Sequence, residues 1–192
     1  MEGNISKHFQ NKLHTRTVAL AGLFVALNII LTRFLSFTIG GTFRVGFGLV
    51  PLHLAGYLLG PVWGLVVGVV SDLLGVVLNS FGQMPHPGFT LSSGLHGLIP
   101  GLTVHLWRRI RELRWGDKRT AIPAVIVSGT VTMAGVSWLL QSIWISQLFN
   151  VSYAVTAAAR AVPALVQGIV LIITELLLLV SRFSVRLNRS AS

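Results

Sequence analysis

The sequence predicts an all-α membrane protein of six transmembrane helices with both termini in the cytoplasm, and three observations predict it. Of 192 residues, 53% are hydrophobic and only 10% are charged, and the mean hydropathy is +0.75. An ordinary soluble domain carries about 25% charged residues, so this chain lacks the polar surface of a typical cytosolic enzyme. Six apolar runs reach, or nearly reach, the roughly 20 helical residues that cross a hydrocarbon core of about 30 Å. The cations, finally, gather on one side of those runs. No run alternates with period two over a strand length, which argues against a β-barrel. The composition is equally unlike a disordered chain. The absence of cysteine excludes disulfides, thiolate metal sites and cysteine nucleophiles. The whole chain, 1–192, reads as a single integral membrane domain.

Val18–Leu35 is the first span. Lys7, Lys12 and Arg16 precede it as in a secretory leader, but no small-x-small cleavage site follows, and Arg33 stands where mature sequence would begin. It is expected to be retained. Ser36–Val45, rich in Gly and Thr, connects it to the second span, Gly46–Leu59. That span is short, as a helix inside a bundle or strongly tilted against neighbours can be, and Pro51 is tolerable in its first turns. Pro61–Asn79 is the third. The loop Ser80–Thr90 sets Pro85 and Pro87 around His86, which would stiffen a lid. Leu91–Trp107, Ala121–Leu148 and Ala154–Val180 complete the set.

The basic residues orient the bundle. Lys7, Lys12 and Arg16 precede the first span; Arg108, Arg109, Arg111, Arg114, Lys118 and Arg119 lie between the fourth and fifth; Arg182, Arg186 and Arg189 follow the sixth. With alternating helices these twelve of the fifteen cations share one side, which the positive-inside rule makes cytoplasmic. The net charge of +10 is therefore a topology signal that meets anionic headgroups of the bilayer, not nucleic acid.

No energy source is encoded. A Gly-rich phosphate loop ending in Lys-Ser/Thr does not occur, and Gly40, Gly41, Gly46 and Gly48 do not sit between a strand and a helix. The histidines His8, His14, His53, His86, His96 and His105 lack metal-ligand spacing. No nucleophile–base pair stands out, so no catalytic residue, metal or cofactor is expected, and a membrane-embedded enzyme has no recognisable constellation. His86 and His96 border the outer loop before the fourth span and are placed to touch a solute, although loop histidines are commonly just solvated.

Charges at membrane depth point to function. Arg44 lies between the first two spans and Arg160 near the outer start of the sixth, three residues before Pro163. Neither has a carboxylate nearby in sequence, and guanidinium forks grip carboxylates bidentately, so the pair suits an anionic solute. The plainer reading is that each snorkels to outer headgroups, which is preferred for Arg33. Asp72 and Asn79 are seven residues apart, about two turns, on the third span. Asp72 pairs either with a neighbouring helix or with a donor-rich heterocycle; Asn79, nearer the outer end, is the better solute contact. Glu175 is assigned to structure. Phe81, Phe89, Trp138, Trp144, Phe149 and Tyr153 crowd the outer side. An interfacial belt accounts for them, and so does a stacking slot for a flat ligand. Trp138, Gln141 and Trp144 fall at i, i+3 and i+6, letting Gln141 share a face with each.

Small residues form rows. Gly22 and Ala26 sit four apart on the first span, and Gly60, Gly64 and Gly68 run onto the third. Such rows let helix backbones approach closely in lipid, either within this bundle or against a partner. The missing engine favours a partner.

Arg44-Val-Gly-Phe-Gly-Leu-Val-Pro51, Leu58-Leu-Gly-Pro-Val-Trp-Gly64 and Gly68-Val-Val-Ser-Asp-Leu-Leu-Gly75 resemble the substrate-binding S components of energy-coupling factor (ECF) vitamin transporters. Gly82 to Thr90, ending Pro87-Gly-Phe-Thr90, is most similar to the folate-specific branch, as is an arginine near a proline in the sixth span, here Arg160 and Pro163. The resemblance covers nearly the whole chain. It implies a bacterial plasma-membrane protein that captures a vitamin outside with high affinity. It also implies a T component and two cytoplasmic ATPases as partners, and toppling in the membrane to release the cargo inside. The family's AxxxA docking motif matches Gly22–Ala26, with glycine in place of the first alanine, and Gly64 and Gly68 extend the expected docking set. Folate carries a flat pterin, a benzoyl ring and two carboxylates. The resulting expectation is that Arg44 and Arg160 hold the carboxylates, that Trp138, Trp144, Phe81 or Phe89 sandwich the rings, and that Asn79 and Gln141 read polar edges. The alternatives are an S component for another anionic vitamin such as pantothenate, or a non-transport membrane scaffold with no saturable small-molecule binding.

Overall fold

The computed structural model describes residues 2–39, 43–78, 86–111 and 118–190. Helix α1 (Glu2–Phe34) leads into an antiparallel hairpin, β1 (Ser36–Ile39) and β2 (Phe43–Gly46). Helices α2 (Leu49–Leu59), α3 (Pro61–Leu78) and α4 (Pro87–Arg111) follow. One continuous rod is then built from α5 (Lys118–Val131), a π-helical stretch (Thr132–Leu140) and α6 (Gln141–Phe149). Helix α7 (Tyr153–Ser190) ends the described chain. Each of the six predicted spans overlaps a helix, although Gly46 at the head of the second is strand and Asn79 at the end of the third lies outside the described residues.

Four of the rods are long and apolar enough to cross a membrane: Thr15–Phe34, Pro61–Leu78, Ile122–Phe149 and Tyr153–Leu179. Helix α4 has the length but carries Ser92, Ser93, His96, Thr103 and His105. Helix α2, at 11 residues, covers about 16 Å and is too short to span. It starts later than predicted because Gly46 belongs to the hairpin. That hairpin is the one departure from an all-helical chain among the described residues. Phe37, Ile39, Phe43 and Val45 favour strands, and the pairing matches Thr38 with Arg44 and Ser36 with Gly46.

Helix α2 is the centre of the molecule. Leu52 and Ala55 pack with Ala21, Phe24 and Val67; Tyr57 packs with Val104, Ala124 and Val125; Val50 packs with Met133 and Leu171. Helices α1, α3, α4, α5, the π stretch and α7 therefore all close on one short helix. Its end is made by Gly60, whose φ of +95° suits glycine, followed by Pro61 at the start of α3, where a missing N–H costs nothing.

Helices α2, α3 and α4 meet through glycine. A Cβ on Gly56 or Gly64 would run into the Gly97 carbonyl, one on Gly97 into Gly64, and one on Gly68 into the Ser93 carbonyl. This corrects the docking expectation for Gly64 and Gly68. Both are buried in the chain's own α3–α4 contact and have no surface to offer. Gly22 and Ala26 differ: they are exposed on the face of α1 opposite Ala21, Phe24 and Asn28, and a Cβ on Gly22 would meet nothing within 4 Å.

Candidate functional site

One end of the bundle collects the polar and aromatic residues singled out in the sequence. The start of α4, the junction of the π stretch with α6 and the start of α7 meet there, and strand β2 touches α7 at Gln167. Arg160, half-buried on α7, donates through one terminal nitrogen to the Ser137 carbonyl at 3.0 Å and to Gln141 Oε1 at 2.6 Å. Its Nε is buried with no partner among the described residues. The guanidinium is thus anchored at one corner and retains donors. This is not a snorkelling arginine.

Trp144 reaches the other wall of the site. Its ring lies against Gly88 at the start of α4, where a Cβ would strike it. His86 stands 5.8 Å away, centroid to centroid, and Phe89 packs edge-on to His86 at 5.9 Å. The indole Nε1 of Trp144 is also buried and has no partner among the described residues. A buried donor left unsatisfied costs about 1–3 kcal/mol.

The structure rearranges several expected roles. Gln141 does not share a face equally with both tryptophans. In the π stretch each hydrogen bond spans five residues instead of four, so the residues beyond it emerge rotated from a plain helix. Trp138 turns to α7 and donates Nε1 to the Ala157 carbonyl at 2.8 Å, Gln141 spends its carbonyl oxygen on Arg160, and Trp144 faces α4. Only the amide NH2 of Gln141 is left to read a ligand. Asp72 accepts from Thr90 Oγ1 at 2.7 Å and Ser93 Oγ at 3.3 Å, which settles it as an α3–α4 tie. His96 is not at the loop: it is 1% exposed, well inside α4, with Nε2 3.1 Å from Ser137 Oγ. Arg44 is described through its backbone only, in β2 opposite Thr38. Asn79 and Phe81 lie outside the described residues.

Two features escaped the sequence reading. Gln167 on α7 holds the end of β2 with both halves of its amide: Gly46 N donates to Oε1 at 3.0 Å, and Nε2 donates to the Gly46 carbonyl at 2.6 Å. Deeper down, His53 Nδ1 stands 2.9 Å from Glu175 Oε1, both side chains fully buried. Tyr57 donates to Glu175 Oε2 at 3.1 Å and meets Ser128 Oγ at 2.5 Å, while Thr132 approaches His53 Nε2 at 3.3 Å. The sequence signal for both was the same, a polar residue inside an apolar span.

An apolar groove of about 340 Å³ runs between α5, the π stretch and α7, lined by Gly129, Met133, Trp138, Ala161, Gly168 and Ile172 among others, and so reaches the residue next to Arg160. It offers no charged or amide group and does not compete as a site for an anion. Among the described residues no cluster of three His, Asp or Glu side chains forms a metal site.

Comparisons with known proteins follow from this geometry. A family model described as ECF-type riboflavin transporter, S component, matches residues 12–182. The chain is 28% identical to the folate transporter FolT of Clostridium novyi (strain NT) over 72% of this chain and 73% of that one. It is 24% identical to the folate transporter FolT of Leuconostoc mesenteroides subsp. mesenteroides over 74% of this chain and 70% of that one. Among solved structures, FolT bound with folic acid superposes with a TM-score of 0.68 at 23% identity, covering 85% of this chain and 92% of that one. The S component of a bacterial ECF transporter gives the same TM-score at 24% identity, covering 91% and 98%.

Proposed function

The chain belongs to the ECF-type riboflavin transporter S component family, a family of membrane transporter components rather than enzymes, and we propose that its cargo is folate. The observation that carries this reading is Arg160, held at one corner by Ser137 and Gln141, with an Nε that is buried and has no partner among the described residues, while Gln141 stands one helical turn from Trp144, whose ring meets His86. Riboflavin is a flat, neutral molecule with no carboxylate for a guanidinium to grip. Pantothenate has a carboxylate and no ring to cover Trp144 and Phe89. Folate has both, and the relatives named above are folate transporters. In this reading Arg160 and Arg44 hold the glutamate carboxylates. Trp144 and Phe89 face the rings, with Trp138 bordering the pocket and Phe81 contributing from outside the described residues. Asn79 and the amide NH2 of Gln141 read polar edges.

The site sits at the outer end if both termini are cytoplasmic, as the basic residues favour. The protein holds no engine of its own. It works with a T component and two ATPases in the bacterial plasma membrane, and the exposed Gly22–Ala26 face of α1 is where the T component docks. Isothermal titration of the detergent-purified protein with folic acid, riboflavin and pantothenate tests the cargo: folic acid binds and the other two do not. Arg160→Ala weakens folic acid binding at least tenfold, since a hydrogen bond to a charged group is worth about 1.5–3 kcal/mol. Unchanged affinity in that variant removes Arg160 from the site.

A further inference from the structure

We infer that Gln167 is a positioning residue for the ligand, acting through the hairpin that carries Arg44; the inference rests on the folate reading. Hairpin β1–β2 is a pair of four-residue strands, too small to be stable on its own. Strand β2 touches α7, and there both groups of the Gln167 amide close on both backbone groups of Gly46, completing the strand edge as a further strand would. A glutamine with its whole amide committed to one backbone residue, 121 positions away in sequence, fixes the strand in distance and in register.

That register matters for Arg44. Arg44 stands two positions before Gly46 in the same strand, so the clamp on Gly46 also holds the Arg44 backbone. Gln167 in turn lies seven residues, about two turns and roughly 10 Å, beyond Arg160 on α7. One helix therefore carries an arginine and, on the same face, the clamp that sets where the second arginine's strand is held. Gln167 thus governs where the backbone of the second arginine stands relative to α7. A ligand with two carboxylates reads that placement, and one with a single carboxylate does not. Gln167 touches no ligand in this scheme.

The test is a double-mutant cycle. Gln167→Met keeps the side chain's length and bulk and removes both hydrogen bonds. The affinity for folic acid is measured by titration calorimetry for the unaltered protein, Gln167→Met, Arg44→Ala and the double variant, each checked for monodispersity and thermal stability. Pteroic acid, which lacks the glutamate, serves as the second probe. Gln167→Met is expected to weaken folic acid at least fivefold and pteroic acid less than twofold. In the Arg44→Ala background it is expected to cost less than twofold for either probe. An equal loss in both backgrounds, or on both probes, overturns the inference, because Gln167 then acts through general stability. No loss at all overturns it as well. Arg44→Ala that leaves folic acid affinity unchanged fails the folate reading at Arg44 itself, a distinct result. As the chain has no cysteine, spin labels at Thr38→Cys and Val166→Cys give an independent readout. Their distance distribution broadens in Gln167→Met, and an unchanged distribution also overturns the inference.

Discussion

The α2–α3–α4 junction and the contacts of α7 hold the same bundle together by opposite means. At the first, side chains are removed: Gly56, Gly64, Gly68, Gly97 and Gly101 bring backbones into direct contact. Close packing is the available force between helices in lipid, where no hydrophobic gain separates helix from solvent. At the second, side chains are added: Glu175 to His53 and Tyr57, Gln167 to Gly46, Arg160 to Ser137 and Gln141. The glycine junction is complete without help. The polar one ties Glu175 to His53 and Tyr57, whereas at Arg160 it leaves a buried Nε without a partner among the described residues. The difference separates scaffold from receptor within one small fold.

Four substitutions break or sharpen that contrast, in descending order of effect. Glu175→Ala strands His53 and Tyr57 in the interior, and removing one partner of a buried pair costs about 3–5 kcal/mol. Thermal unfolding in detergent is expected to show the largest drop in this series. Gly97→Ala forces a methyl into the Gly64 backbone, an overpacking worth about 1–3 kcal/mol. It is expected to lower the unfolding temperature while the surviving folded protein binds folic acid as before. Trp144→Leu removes the ring beside His86 and Gly88 and weakens folic acid severalfold, about 0.5–1.5 kcal/mol of aromatic contact, with little change in unfolding. Gly22→Leu, on a face where a Cβ meets nothing, changes neither stability nor binding; co-purification with a co-expressed T component is what it abolishes. If Gly97→Ala reduced affinity as much as Trp144→Leu, the division into scaffold and receptor would be wrong.

The helices were legible because run length and apolar content are local properties, and each predicted span overlaps a helix. The interior polar chemistry was legible only as positions. Glu175 was assigned to structure and Asp72 left open between a helix tie and a ligand, but His53 and Tyr57 on α2 name Glu175 as their partner only when α7 is folded against them. The π stretch left no trace in Thr132–Leu140, whose residues suit an ordinary helix equally well, and it reassigns Trp138, Gln141 and Trp144 to different neighbours. The row through Gly64 and Gly68 was read correctly as close approach, but what approaches is α4 of the same chain. Spacing cannot tell a neighbouring helix of the same chain from one of another; burial does. Gln167 was overlooked although it is the sole strongly polar residue between Pro163 and Thr174.

Helix α2 meets almost no lipid. Seven of its 11 residues are buried, among them Pro51 and His53. Its positions are therefore constrained by shape and by hydrogen-bond partners, as in the heart of a water-soluble enzyme. Val162, Leu165 and Ile169 on the outer face of α7 need only be oily. Random mutagenesis across the chain would show α2, the shortest rod and the one least able to reach across a bilayer, as the least forgiving to change.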